Sequence, residues 1–369
     1  MENRVMRGRS LVLVPLLMLT AACQPTPLEA GTSASPQEAA AAHESRLQAA
    51  FAELQQKNLS VVVGIAHDGG PIVLREFGAA ARDSVPPGAT QVDINSITKT
   101  VTAVATLKLV AQGKLRLQET LAELLPNVPK DKAGITVHQL LTHTAGLVDG
   151  VGPDPEQLGK EAFLERLFAT KLRGAPGKKW RYSNAGYSVL AAIIEARSGK
   201  AYDEYLQQDV LANTGLKNTG YLSVYDESRS LKSADGRAVM AASWGGHEPY
   251  WNLLGNGGLI STAEDFIRFL QMLKAGEIIP PELVQESRRP LAAMEDDDSK
   301  YGYGLVVMEQ PRGGVMYWHD GGNPVFSAMW ADVPAHEDII FTAGADDRSG
   351  NAFDAMRVMR KHLHGIKGD

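Results

Sequence analysis

The stretch Asn95-Ser96-Ile97-Thr98-Lys99-Thr100-Val101-Thr102-Ala103-Val104-Ala105 and its continuation to Ala111 decide how this chain is read. From Val101 onward the run is apolar nearly all round, which marks a buried helix rather than an amphipathic one. Gly113 stands where it can end that helix. If Ser96 opens the helix, a spacing of three puts Lys99 on the same face, one turn along. A serine hydroxyl is a poor nucleophile until a base takes its proton. A lysine in a buried helix is pushed towards its neutral form and becomes such a base. The helix start also leaves N–H groups without intrahelical partners beside the hydroxyl. Alone, Ser-x-x-Lys is equally what an N-capping serine with an exposed lysine would write. The buried look of the helix favours the chemical reading, because an unpaired lysine there is costly.

Two further segments offer complementary groups. Tyr182-Ser183-Asn184 follows Trp180 and precedes a helical stretch. Tyr182 can shuttle a proton between a serine and a leaving group, and the Asn184 amide can orient Lys99 and a substrate carbonyl through its donor and acceptor. By themselves these two residues also fit a core tyrosine and a helix cap. His319-Asp320-Gly321-Gly322 ends a strand-like run. Its glycines let a substrate lie along the strand edge with a backbone N–H aimed into an oxyanion site. His319 could hold a substrate carboxylate or hydrogen-bond to the tyrosine; a plain Gly-Gly hairpin turn is the alternative.

The rest of the pattern surrounds these segments with an α+β fold. A helix starts near His43 and carries Leu47, Ala50, Phe51 and Leu54 at helical spacing. Strand-like runs at 59–66 and 71–77 are separated by the turn Asp68-Gly69-Gly70. Helical patterns follow at 161–171, 187–197 and 202–212, and Ser261-Thr262-Ala263-Glu264 has capping-box form ahead of 265–275. Short apolar strands return at 304–309, 315–319, 326–332 and 339–343, before a last helix containing Phe353, Met356, Val358 and Leu363. This order predicts an antiparallel sheet built from both chain ends and flanked by helices (about 43–100 and 255–369), with a largely helical insertion at about 101–254.

The N-terminus reads as a targeting segment. Arg4, Arg7 and Arg9 precede an apolar run at 11–19 and the pair Ala21-Ala22, the form of a signal peptide over 1–22. The run is well short of the roughly 20 residues of a membrane-spanning helix. Cys23 is the only cysteine, which excludes an internal disulfide. Its position resembles the lipidated cysteine of a bacterial lipoprotein, although Thr20 stands where such signals usually carry leucine. An ordinary signal cut near Ala22 or Ala30 is the alternative. Residues 23–42, rich in Pro, Ala, Ser and Thr, read as a flexible tether. The expectation is an exported protein of the bacterial cell envelope or periplasm, touching the membrane through a lipid anchor on Cys23. A net charge of −6 and no basic run in the body of the chain exclude nucleic acid as a partner.

In this order, Asn95–Thr100, Gln112-Gly113-Lys114-Leu115, Leu140-Leu141-Thr142-His143-Thr144-Ala145-Gly146-Leu147, Tyr182–Tyr187, Gly257-Gly258-Leu259-Ile260-Ser261-Thr262 and His319-Asp320-Gly321 resemble the serine β-lactamase and penicillin-binding peptidase superfamily. The similarity is to its branch of class C β-lactamases, D-Ala-D-Ala carboxypeptidases, D-aminopeptidases and β-lactamase-like esterases. The resemblance implies the β-lactamase/transpeptidase-like fold and a serine hydrolase that needs no cofactor and no metal. It implies Ser96 as the acylated nucleophile, Lys99 and Tyr182 sharing the proton transfers, and Asn184, His319 and Gly321 orienting substrate. The backbone N–H groups of Ser96 and Gly322 would form the oxyanion hole. Substrates would be a small molecule or peptide, peptidoglycan fragments among them, with a D-amino-acid peptide or an ester foremost. A class C-like β-lactamase and a catalytically silent peptidoglycan binder are the alternatives. Many β-lactamases have Lys-Thr-Gly where this chain has His319-Asp320-Gly321, and a largely neutral histidine is a poorer partner for a β-lactam carboxylate.

Other residues invite metal chemistry without supporting it. His138 and His143 are five apart rather than the four of a helical metal pair, so packing or hydrogen bonding is expected of them. His247-Glu248 and His336-Glu337 lack a second histidine, and the acidic run at 295–298 reads as a solvated loop. No Gly-x-Ser-x-Gly elbow is present, which argues against an α/β-hydrolase.

Overall fold

A computed structural model describes residues 35–366 apart from 83, 296–297, 311–312 and 346–350. The expected signal segment and Cys23 lie outside the described residues, as does part of the acidic run at 295–298. The chain divides into two units, Met1–Ala42 and His43–Asp369. In the first, Ser35 donates its N–H to the Glu38 carboxylate at 2.7 Å where helix α1 (Pro36–Gln56) begins. The tether assigned to 23–42 therefore ends early. The four alanines at 39–42 are the strongest of helix formers, and the proline suits a first helical turn.

Within the second unit, α1 buries the expected Leu47, Ala50, Phe51 and Leu54. Strands β1 (Val61–His67) and β2 (Val73–Phe77) form the expected hairpin. Asp68 and Gly69 turn it with φ of 50° and 65°, the left-handed pair such a tight turn requires. A two-residue strand β3 (Val92–Asp93) leads through the 3₁₀ turn Asn95–Ile97 into α2 (Thr98–Ala111), buried nearly all round. The insertion carries α3 (Leu121–Leu124), α4 (Val137–Leu141), α5 (Lys160–Ala169), α6 (Asn184–Ser198), α7 (Tyr202–Tyr205) and α8 (Val239–Ser243). Beyond α7 the expected helix loosens into a π-turn at Leu206–Val210. β4 (Ile260–Ser261) pairs with β3, and Thr262, rather than Ser261, caps α9 (Ala263–Lys274). Then come α10 (Pro281–Ser287), β5 (Ala292–Ala293), β6 (Ser299–Tyr301), β7 (Val306–Glu309), β8 (Val315–Gly322), β9 (Phe326–Val333), β10 (Asp338–Ala345) and α11 (Asn351–His364).

The large sheet runs β2-β1-β10-β9-β8-β7-β6-β5, with every pair antiparallel. The two chain ends meet towards its β2 edge, where β1 pairs with β10. The two-residue alternation of a strand divides the core. Val61, Val63 and Ile65 face α1 and α11, while Val62 and Ala66 face the helical side with α2 and α9. Gly64 faces that side too, since a Cβ there would stand 2.6 Å from Ile267 of α9. The fold is the α+β arrangement expected.

Candidate active site

The site begins at a strained turn. Asn95 holds a left-handed φ of 47° between β3 and the 3₁₀ turn, and its N–H donates to Asp93 Oδ1 at 2.7 Å, the kind of local aspartate turn that tolerates this backbone. The turn places Ser96 half-buried, one residue into the helical run, with Lys99 a turn further on. Lys99 is fully buried. Its Nζ lies 2.9 Å from Ser96 Oγ and donates to the Asn256 carbonyl at 2.7 Å. Burial lowers its pKa to about 7, although the Asp149, Asp154 and Asp320 charges pull the other way. The amine can therefore be neutral at neutral pH and accept the serine proton.

Tyr182 completes the set. Lys99 Nζ stands 4.8 Å from the centre of its ring, and the Ser96 side chain acts on its phenol against the effect of burial. Burial pushes the phenol well above its ordinary value, so Tyr182 stays protonated and is suited to donate. His143 fixes its position. The His143 carbonyl accepts the Arg181 N–H at 2.8 Å, and His143 Nδ1 accepts the Ser183 N–H at 3.1 Å. Both chain neighbours of Tyr182 thus hang from one residue, whose ring centre lies 4.5 Å from that of the tyrosine. His143 has a left-handed φ of 57° and is buried, which with the nearby Lys99 and His319 holds it neutral.

Ser96 opens into a cleft of about 270 Å³ lined by Asp93, Asp154, Asn184, Ser243, Asn256 and Gly322 among others. Larger hollows exist, such as one of about 590 Å³ beside Leu74 and Pro86, but they have no serine–lysine pair. Asn184 begins α6 and lines the cleft, yet the hydrogen bonds that hold Lys99 come from Ser96 and Asn256. At Gly321 a Cβ would lie 2.4 Å from the Ser96 nitrogen, so only glycine lets β8 pass this close to the nucleophile. Gly322, the next residue, is exposed to the cleft.

His319 departs from expectation. It is buried, Nε2 meets the Tyr301 hydroxyl at 3.0 Å, and Nδ1 meets the Asp320 carbonyl at 2.6 Å. Burial, helped by the Lys99 charge, lowers its pKa to about 3. The structure places it as a neutral strut beneath β8, with Tyr301 and not Tyr182 as its tyrosine partner. The sequence pattern puts a histidine beside the glycines but carries no sign of which way β8 faces.

His138 hydrogen-bonds to Tyr303 at 2.8 Å, as a packing role requires. Among the described residues, His43, His67 and Asp338 have the spacing of a metal set. They lie where β1 and β10 meet α1, and their two imidazoles are stacked with ring centres 3.7 Å apart. A tetrahedral ion ligated by both would hold the ring centres about 5 Å apart, so the observed rotamers form a hydrogen-bonded cluster instead. Asp93 and Asn256 were missed in the sequence. An acidic residue between the apolar Val92 and Ile94 was the available signal for the first. A backbone carbonyl leaves no signal at all.

The profile of the Beta-lactamase family matches residues 41–364. The chain belongs to the beta-lactamase family. Esterase EstB of Burkholderia gladioli is 28% identical over 80% of this chain and 87% of its own length. Penicillin-binding protein 4* of Bacillus subtilis is 27% identical over 77% of this chain and 67% of its own. The D-alanyl-D-alanine-carboxypeptidase/endopeptidase AmpH of Escherichia coli is 30% identical over 55% of this chain and 54% of its own. Among solved structures, the D-amino acid amidase of Ochrobactrum anthropi SV3 superposes with a TM-score of 0.74 at 21% identity, covering 88% of this chain and 98% of that one, which shows the common fold. This member of the beta-lactamase family is a serine hydrolase that works through an acyl-enzyme.

Proposed function

We propose that this chain is an exported hydrolase of small amides or esters, acting on a D-amino-acid peptide or amide or on a small ester through an acyl-enzyme on Ser96. The carrying observation is the Ser96–Lys99 contact of 2.9 Å, made by a lysine that is fully buried. Neutral Lys99 takes the proton as Ser96 Oγ attacks the carbonyl carbon. The oxyanion is held by the N–H groups of Ser96 and Gly322, typically a few kcal/mol per donor. The leaving amine or alcohol receives a proton from Tyr182, which is resupplied from Lys99. Water then attacks the acyl-enzyme by the reverse proton route. Asn184 orients the substrate from the cleft wall.

An efficient β-lactamase is the weaker reading. A β-lactam presents a carboxylate, and here His319 is buried and neutral while Asp93 and Asp154 line the cleft. A silent binder would have no use for a costly buried lysine against a serine. The test compares the protein with its Ser96→Ala variant on p-nitrophenyl esters, amino-acid p-nitroanilides and a fluorescent penicillin. Ester or anilide turnover should vanish in the variant, and penicillin should acylate slowly or leave a long-lived adduct. Rapid penicillin turnover would establish the β-lactamase reading instead, and no reaction with any reagent would establish the silent one. Export and lipidation at Cys23 are proposals from the sequence. Mass spectrometry of the mature N-terminus tests them, and an unmodified cysteine or a start beyond it overturns the anchor.

A further inference from the structure

Asp93 is 2% exposed and lines the cleft that holds Ser96. Its Oδ1 accepts the Asn95 N–H at 2.7 Å, and its Oδ2 faces the Ser243 hydroxyl and, at 3.3 Å, Asn323 Nδ2. All three partners are neutral, so among the described residues this buried carboxylate has no cation within contact distance. A second carboxylate, Asp154, lines the same cleft from the exposed side and acts on Asp93 by repulsion. Lys99 is the cationic residue nearby, and its amine is engaged by Ser96 and Asn256. Burying a carboxylate without a countercharge is costly, and a second negative charge beside it adds to the cost. The local turn does not require a charge, because the oxygen that Asn95 uses would serve equally on an amide. Expense without structural need points to a ligand that brings the missing positive charge.

We propose that Asp93, with Asp154 at the rim, forms a subsite for a substrate ammonium group, so that the acyl donor taken by Ser96 is a small amine-bearing one such as an amino-acid amide or ester. The inference rests on the hydrolase reading above and narrows it. A cavity of about 270 Å³ has room for an acyl group of about nine heavy atoms at a water's ~30 Å³ each, and an amine next to the scissile carbonyl can remain within reach of the lining carboxylates. Ser243 and Asn323 fix the Asp93 carboxylate from the sides, with Asn323 Nδ2 donating to Ser243 Oγ at 2.8 Å. A substrate carboxylate in the same position would meet two negative groups and is selected against.

The test uses p-nitroanilides of alanine, each enantiomer, with the amine free, acetylated or succinylated, and a p-nitrophenyl ester without charge as reference. In the wild-type protein the free amine should exceed the acetylated form by at least tenfold in kcat/KM, the size expected of one charge-assisted contact, and the succinylated form should be slowest. Asp93→Asn keeps the acceptor for Asn95 and removes the charge. It should shrink the free-to-acetylated ratio by about tenfold through KM, a ratio in which any general loss of activity cancels. Turnover of the neutral ester with an equal or reversed order among the anilides, or a ratio unmoved by Asp93→Asn, overturns the ammonium subsite and leaves the hydrolase reading standing. No turnover of any substrate overturns both.

Discussion

Two of the places where the molecule buries polar groups treat them in opposite ways. Where β1 and β10 meet α1 and α11, Asp338 accepts from His43 and His67 on Oδ1 and from His364 on Oδ2, each at 2.9 Å. Those donors hold its carboxyl below the usual range against the effect of burial, and His336 stacks on His364 at 4.3 Å. The carboxylate is solvated by the protein on every side, and the chain elements that supply its donors come from both ends of the sequence. At the Ser96 cleft the accounting is left open. Among the described residues, Lys99 is buried against a hydroxyl and a carbonyl rather than a carboxylate, Asp93 has only neutral partners, and His143 Nε2 is buried without a partner. A satisfied buried charge ties elements together. An under-satisfied one stores the tendency to gain or lose a proton, or to take up a ligand. The difference separates architecture from chemistry within a single core.

Exchanging the two treatments gives the largest effects. Lys99→Met removes a buried base and replaces it with an apolar side chain of similar length. Activity on a p-nitrophenyl ester should fall by about 10³–10⁴-fold, the size of a general-base contribution, while the melting temperature holds or rises because an unpaired charge has left the core. A lower melting temperature with activity retained would erase the contrast. Asp338→Ala should do the reverse. It strips three histidines of their acceptor at a cost of about 3 kcal/mol in unfolding free energy, while the activity of the folded fraction stays within about twofold. Chemical denaturation and active-site titration measure the two quantities separately.

Acid sharpens the comparison, because the two groups titrate with opposite consequences. Lys99 has a folded-state value of about 7, below its ordinary one, so the neutral base is lost as pH falls. The value of kcat/KM for an uncharged ester should drop about tenfold per pH unit below 7, and His319, neutral down to about 3, does not contribute. Between about 7 and the ordinary lysine value the unfolded chain holds more protons at this group, so its contribution to stability rises with pH in that window. Asp338 is lowered, and its contribution is complete above the ordinary carboxylate range and lost as pH falls through its depressed folded value. Activity should therefore fade in mild acid while the fold still stands. Matched pH profiles of kcat/KM and of unfolding check this, and coincident profiles would contradict it.

The sequence made much of this legible, and the gaps have physical reasons. α2 and its serine–lysine spacing were readable because a nearly all-round apolar helix with a lysine in its first turn is a rare pattern, and the β1–β2 hairpin because Asp68-Gly69 suits left-handed turns. Strands β3 to β6 have two or three residues each, too few for any period to show. The direction of His319 was unreadable, since a histidine before Gly-Gly fits either face of a strand. The cluster on Asp338 joins residues from positions 43 to 364, a separation at which no local pattern survives. Asp93 was visible as an acid between Val92 and Ile94, yet its meaning depends on Ser243 and Asn323, which only the fold brings alongside.

His143 offers the smallest and most pointed test, since it belongs to the open accounting and touches only Tyr182 and that residue's neighbours in the catalytic set. Its Nδ1 accepts from Ser183 and its carbonyl from Arg181, so the neutral ring carries its proton on Nε2. His143→Phe keeps an aromatic face for Tyr182 but leaves the Ser183 N–H without its acceptor. His143→Asn keeps an acceptor at the same distance from the backbone and tolerates the left-handed φ of 57°. If the residue positions Tyr182 through the backbone, Phe should lower kcat by about tenfold, one lost buried hydrogen bond, with KM nearly unchanged. Asn should recover most of that loss. A role in core packing alone predicts the opposite ranking, with Phe the milder change, and ties any loss of activity to the melting temperature. Steady-state kinetics and thermal melts on the two variants distinguish the cases, because a displaced phenol slows proton delivery without loosening the cleft that binds substrate.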